Sequence, residues 1–175
     1  MAPTPASAPR PHLPQAILYG WLICGTLDLI SAVLDAQGQL GVGPQRLLQG
    51  VAGALLGPAA FEYGWASATL GLGLHYSVAF TWTAVFYGLS RRYPALLRWP
   101  VMSGLIYGAV VFLVMFRVVI PLTIGLRSIY LTVPFNHAWP KLRATQFFIH
   151  LVCIGVPIAL ALRRWGNPKA WFLST

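Results

Sequence analysis

Apolar residues run with little interruption through four stretches of the chain, about 15–34, 64–90, 99–120 and 144–163. Each is close to the ~20 residues with which an α-helix crosses the hydrocarbon core of a bilayer. The pattern predicts an all-α integral membrane four-helix bundle. A fifth uncharged stretch, residues 47–61, contains Gly50, Gly53, Gly57 and Pro58. It is short for a span and suits a short Gly-rich re-entrant or interfacial helix. Residues 118–143 are apolar too, but Pro121, Gly125, Pro134 and Pro140 break them and Arg127 sits in the middle. They are expected to lie along the outer interface as an amphipathic loop, at a depth that suits Tyr130 and Trp139.

The flanks read differently. Residues 1–14, MAPTPASAPRPHLP, hold five prolines and form a disordered Pro/Ala-rich tail. The first apolar stretch is long enough to span, contains Asp28 and is followed by no convincing small-x-small cleavage site, so it reads as a membrane helix and not a signal peptide. Residues 15–165 then form a single transmembrane domain, with 166–175 as a short cytoplasmic tail.

Composition narrows the class. Hydrophobic residues make up 57% of the chain and charged residues 9%, with a mean hydropathy of +0.68. A soluble domain carries ~45–50% apolar and ~25% charged residues, so neither a water-soluble globule nor a disordered chain fits. Twelve Lys+Arg stand against three Asp+Glu, a balance that in a soluble protein would suggest nucleic acid. Here Arg91, Arg92, Arg98, Arg163, Arg164 and Lys169 cluster at the ends of apolar runs, where cations meet lipid headgroups, so the expected partner is the lipid bilayer and not nucleic acid. Cys24 and Cys153 lie inside apolar runs and read as small buried hydrophobes.

With four spans, Arg10, Arg91, Arg92, Arg98, Arg163, Arg164 and Lys169 share one side. Arg46, Arg127, Lys141 and Arg143 lie opposite, with Arg117 near them. The positive-inside rule then puts both termini in the cytoplasm.

Ionisable groups inside spans are costly and mark the first places to look for function. There are four: Asp28, His75, Arg117 and His150. Counting ~1.5 Å per residue from the middle of each span puts His75 near the midplane, Asp28 ~4 Å, His150 ~6 Å and Arg117 ~10 Å to its outer side. On the first helix Trp21, Cys24, Asp28, Ser31 and Asp35 recur at spacings of three and four and make one polar stripe. Matching faces carry Ser67, Gly71, His75 and Trp82 on the second span, and Gln146, His150, Cys153 and Pro157 on the fourth. The expectation is a polar cavity in the outer half of the bundle lined by Asp28, His75 and His150, with Arg117 as counter-charge and Glu62 near the mouth. The plainer alternative is that these side chains only hydrogen-bond one another and hold the helices in register.

Two imidazoles on facing helices are also a way to hold a b-type haem, which makes His75 and His150 candidate axial ligands. Metal ligation is not expected, because no i,i+4 His pair or clustered carboxylates are present. The spacings Gly53–Gly57 and Gly104–Gly108 fit small-xxx-small packing, with Gly104 and Gly108 open either to another helix or to a homo-oligomer.

The segments GTLDLISA (25–32), RLLQGVAGALLG (46–57), LGLGLHYSVAF (70–80), GLIYGAVVFLVMFRVVIPLT (104–123) and FIHLVCIGVPIAL (148–160) together resemble small uncharacterised bacterial inner-membrane proteins, loosely YagU-like. The resemblance spans most of residues 16–162. It implies a multi-pass protein of the bacterial inner (plasma) membrane and draws attention to Asp28, His75 and Arg117–Pro121, but it implies no activity. The residues themselves favour binding or translocation of a small solute or proton, with a structural or accessory subunit and a membrane enzyme or b-haem protein as the alternatives.

Overall fold

The computed structural model describes residues 13–123 and 144–166. Most of the expected N-terminal tail, of the loop 118–143 and of the C-terminal tail lies outside the described residues, and Leu13 and Pro14 already belong to the first helix. Among those described there are five helices and no strand: α1 (Leu13–Leu40), α2 (Pro44–Leu56), α3 (Gly64–Arg92), α4 (Pro100–Thr123) and α5 (Ala144–Trp165).

Three of these, α1, α4 and α5, are long and apolar enough to cross a membrane. The count from length and hydropathy together is thus three, where the sequence pattern predicted four. α3 has the length, at 29 residues, but Ser, Thr, Gly and His dilute its apolar content. Thr69, Ser77 and Thr81 are exposed, but half of its Ser and Thr hydroxyls are turned inward, since Ser67, Thr83 and Ser90 are buried. Their hydroxyls donate to backbone carbonyls, Thr83 to Ala79 and Ser90 to Tyr87 within α3, so burial leaves none of these donors unsatisfied.

Pairs across the interfaces fix the helix directions. From α1 to α3, Gly20 meets Thr83, Gly25 meets Tyr76 and Ala79, and Asp28 meets His75, an antiparallel order. From α1 to α5, Gly20 meets Ile158 and Ala161, Ser31 meets Cys153 and Asp35 meets Gln146, again antiparallel. From α4 to α5, Gly104 meets Gly155 and Gly108 meets Leu151 in the same opposed sense. Tyr107 and Phe86 join α4 to α3 with ring centroids 4.8 Å apart. The four long helices form a ring α1–α3–α4–α5 around a core that includes Cys24, Thr83, Phe86, Val111, Ile158 and Leu162.

The closest approaches are made through glycine. A Cβ on Gly104 would lie 2.7 Å from the Cα of Val156, and one on Gly155 would run into the Gly104 carbonyl. Gly104 and Gly108 are both buried. Their small face is occupied by α5 of the same chain, so it is not open to a second copy, and the expected homo-oligomer contact through Gly104 and Gly108 is corrected to an internal one.

α2 does not follow the alternation. Gln45 lies beside Gly64, Gln49 beside Ser67 and Ala52 beside Gly71, so α2 and α3 run parallel and begin at the same end. The intervening 3₁₀ turn Gly57–Phe61 must bring the chain back to that end. Gly57 makes the reversal with a φ of 68°, in the left-handed region, and Gly64 opens α3 with a φ of 55°. Gly71 is where the two backbones touch: a Cβ there would collide with the Leu48 carbonyl of α2.

Two helices widen locally into π turns, Met115–Val119 in α4 and His150–Gly155 in α5. Each includes the residue four before a proline, Arg117 before Pro121 and Cys153 before Pro157. A proline has no N–H to give to that carbonyl and crowds it, and a widened turn relieves the clash without ending the helix. α4 therefore continues through Pro121 to Thr123, past the break predicted there.

Candidate functional site

At mid-height in the ring lies a cavity of about 140 Å³. α1 contributes Cys24 and Asp28, α3 contributes His75, Val78, Ala79 and Trp82, α4 contributes Val111 and Met115, and α5 contributes His150 and Ile154. Val51 of α2 completes the wall. Three of the five residues singled out from the sequence, Asp28, His75 and His150, thus converge on one space.

Their geometry is specific. Asp28 Oδ2 lies 4.0 Å from His75 Nδ1, beyond direct hydrogen-bond range, with both side chains only 15–18% exposed. The other ring nitrogen of His75, Nε2, is 2.8 Å from the backbone carbonyl of Gly25 on α1. A carbonyl only accepts, so that partner assigns the proton to Nε2, and in the neutral ring Nδ1 faces Asp28 with a lone pair. His150 is fixed the other way round. Its Nδ1 is 2.8 Å from the Gln146 carbonyl, one turn earlier on α5, so Nδ1 donates and Nε2 keeps the lone pair. His150 is 7% exposed, with the rings of Phe112 and Phe116 edge-on at 5.4 and 5.8 Å.

The polar stripe of α1 finds partners along its length. Trp21 Nε1 donates to the Tyr76 carbonyl at 2.7 Å, and Cys24 Sγ is 3.6 Å from Thr83 Oγ1. Above Asp28 the stripe turns to α5: Ser31 Oγ is 3.3 Å from Cys153 Sγ, and Gln146 donates to Asp35 at 2.8 Å. Gln39 Nε2 donates to the Asp35 carboxylate and, at 3.1 Å, to Thr145. These polar ends clasp α1 to α5 beyond the cavity.

The other two expected site residues lie elsewhere. Arg117 is exposed and does not line the cavity. Val111 and Met115 put the inner face of α4 on the cavity, and Arg117, two residues after Met115, projects about half a turn away from it. It is not the counter-charge of Asp28. Glu62 is exposed at the start of α3, and the eleven residues from Gly64 to His75 amount to roughly 16 Å of helix at the usual rise. It lines a separate surface groove with Arg46, Gln45, Gln49, Phe61 and Trp65, and so is not at the mouth of the cavity.

The residues do not fit a haem. His75 has its Nε2 committed to Gly25, and 140 Å³ is well below the ~300–1,000 Å³ of sites that take drug-sized ligands. Among the described residues no three His, Cys, Asp or Glu side chains are placed to hold a metal ion. The part played by Val51 and by the Gly25 carbonyl carried no sequence signal, because both depend on which helix faces which.

No protein family, curated protein or solved structure compared with this chain matches it.

Proposed function

We propose that the cavity between Asp28, His75 and His150 binds a proton or small solute and passes it through the outer half of a membrane-embedded bundle. The observation that carries this reading is the 4.0 Å gap between Asp28 Oδ2 and His75 Nδ1 in the middle of the ring. Purely structural polar pairs close to hydrogen-bond distance, as Gln146 and Asp35 do at 2.8 Å. Asp28 and His75 are held apart instead, on the wall of one cavity.

In this reading α3 is the fourth span. Ser67, Thr83 and Ser90 face the bundle, the exposed Thr69, Ser77 and Thr81 each donate to a carbonyl one turn earlier in α3, and the helix lies antiparallel to the span-length helix α1. α2 and the turn Gly57–Phe61 enter the bilayer and return to the same side as a re-entrant hairpin. Both termini face the cytoplasm of a bacterial inner membrane, following the basic residues at helix ends and the YagU-like motifs.

The test is proton flux into liposomes carrying the purified protein under a pH gradient. Asp28→Asn and His75→Gln abolish the flux while helicity is retained. Undiminished flux in both folded variants favours a second reading, that of a structural or accessory subunit, which the His75–Gly25 bond between α1 and α3 supports.

A further inference from the structure

The atoms that the cavity offers to an occupant are of one kind. Asp28 is an acceptor through both carboxylate oxygens when ionised. His75 spends its Nε2 proton on the Gly25 carbonyl and keeps a lone pair on Nδ1, and His150 spends its Nδ1 proton on the Gln146 carbonyl and keeps a lone pair on Nε2. The Cys24 thiol is turned back to the Trp21 carbonyl and to Thr83. No lysine or arginine lines the space, and Arg117 points away. A buried carboxylate with acceptor neighbours and no fixed cation calls for an occupant that is positive and rich in N–H or O–H bonds.

The dimensions restrict that occupant further. Two acceptors 4.0 Å apart are too far for a direct bond but can be bridged by one atom carrying two donor hydrogens. About 140 Å³ is well below the ~300–1,000 Å³ of sites that take drug-sized ligands, so the occupant has only a few non-hydrogen atoms. Trp82 supplies an aromatic wall, the side-chain type that attracts cations best.

We infer that the ligand of this cavity is a small N–H cation, ammonium or a short primary alkylammonium, which takes up the acceptors of Asp28, His75 and His150 and displaces the proton they otherwise share. This rests on the functional reading above and names its substrate class. In the exchange the cation enters intact, the O–H bond of the protonated Asp28 carboxyl breaks, and its proton leaves to water, so the charge of the site is unchanged.

The experiment is calorimetric titration of the full-length detergent-purified protein with pH-matched ammonium chloride, in two buffers of different ionisation enthalpy. Methylammonium, potassium and tetramethylammonium chlorides are titrated in parallel. Saturable binding of ammonium and methylammonium, with a buffer-dependent heat that reports proton release, is the expected result. Potassium, similar in size but without donors, and tetramethylammonium, without N–H bonds, bind at least about tenfold more weakly. Asp28→Asn, at an unchanged melting temperature, loses ammonium binding; the cation comparison on the unmodified protein decides the matter if that variant does not fold. Equal binding of potassium overturns the inference. Absence of ammonium binding together with Asp28-dependent proton flux overturns it and leaves the proton reading standing, whereas absence of both removes the two together.

Discussion

His75 places its Nε2 2.8 Å from the carbonyl oxygen of Gly25, fifty residues earlier in the chain and three before Asp28. That one bond pins α3 to α1 and at the same time orients the opposite edge of the ring toward the carboxylate. In their neutral forms the two histidines are thereby expected in opposite tautomers, His75 protonated on Nε2 and His150 on Nδ1. Nitrogen chemical shifts of ¹⁵N-histidine-labelled protein in lipid bilayers, assigned with His75→Gln and His150→Gln, read this directly. Finding the same tautomer at both positions would contradict the geometry.

Loss of the His75 ring also has a stability consequence. His75→Ala removes an interhelical hydrogen bond, worth about 0.6–1.7 kcal/mol in membrane proteins. It also leaves the Asp28 carboxylate without its nearest imidazole. Asp28→Asn keeps the shape of the side chain, so the melting temperature in detergent is expected to fall clearly for His75→Ala and to change little for Asp28→Asn. Steady-state unfolding in mild denaturing detergent gives the comparison.

The glycine contacts between α4 and α5 make a sharper case. Gly155→Ala puts a methyl group against the Gly104 carbonyl and about 2.6 Å from the Gly108 backbone nitrogen, and neither can yield without parting the helices. Destabilisation of roughly 1–3 kcal/mol is expected, the range of overpacked cores. Because the contact is internal, the mass of the particle measured by light scattering stays the same. A change in subunit number with unaltered stability would show that the glycine face serves another copy instead.

The parallel course of α2 and α3 predicts a topology. Single cysteines replacing Arg46 and Glu62, in a chain with Cys24 and Cys153 changed to Ala, are labelled by an impermeant maleimide from one and the same side of the membrane. A cysteine at Arg92, at the far end of α3, is labelled from the other. Labelling of positions 46 and 62 from opposite sides would make α2 a crossing helix and refute the re-entrant hairpin.

Gly71→Ala tests the seat of that hairpin. The added methyl meets the Leu48 carbonyl, so α2 is lifted from α3 while the four-helix ring keeps its own contacts. Val51 then leaves the cavity wall. Faster maleimide labelling of a cysteine at Val51, with helicity unchanged by circular dichroism, is the expected sign. Unchanged labelling would mean that α2 is held by something other than this contact.

Length and hydropathy are local properties, and they were enough for the all-α class, for three span-length helices and for the short glycine-rich segment before α3. Spacing along each helix was enough to set Asp28, His75 and His150 on single faces, and those faces do converge, because an ionisable group inside a span has few favourable places other than the interior. What one helix cannot encode is which neighbour its face will meet and at what height. Arg117 shares a span with cavity residues yet falls on the opposite side of Met115, Glu62 is set about 16 Å of helix from His75, and Gly104 and Gly108 find their partner in α5. The parallel docking of α2 and the tautomer of each histidine are likewise decided by carbonyls and glycines far apart in the chain, brought together only when the helices pack.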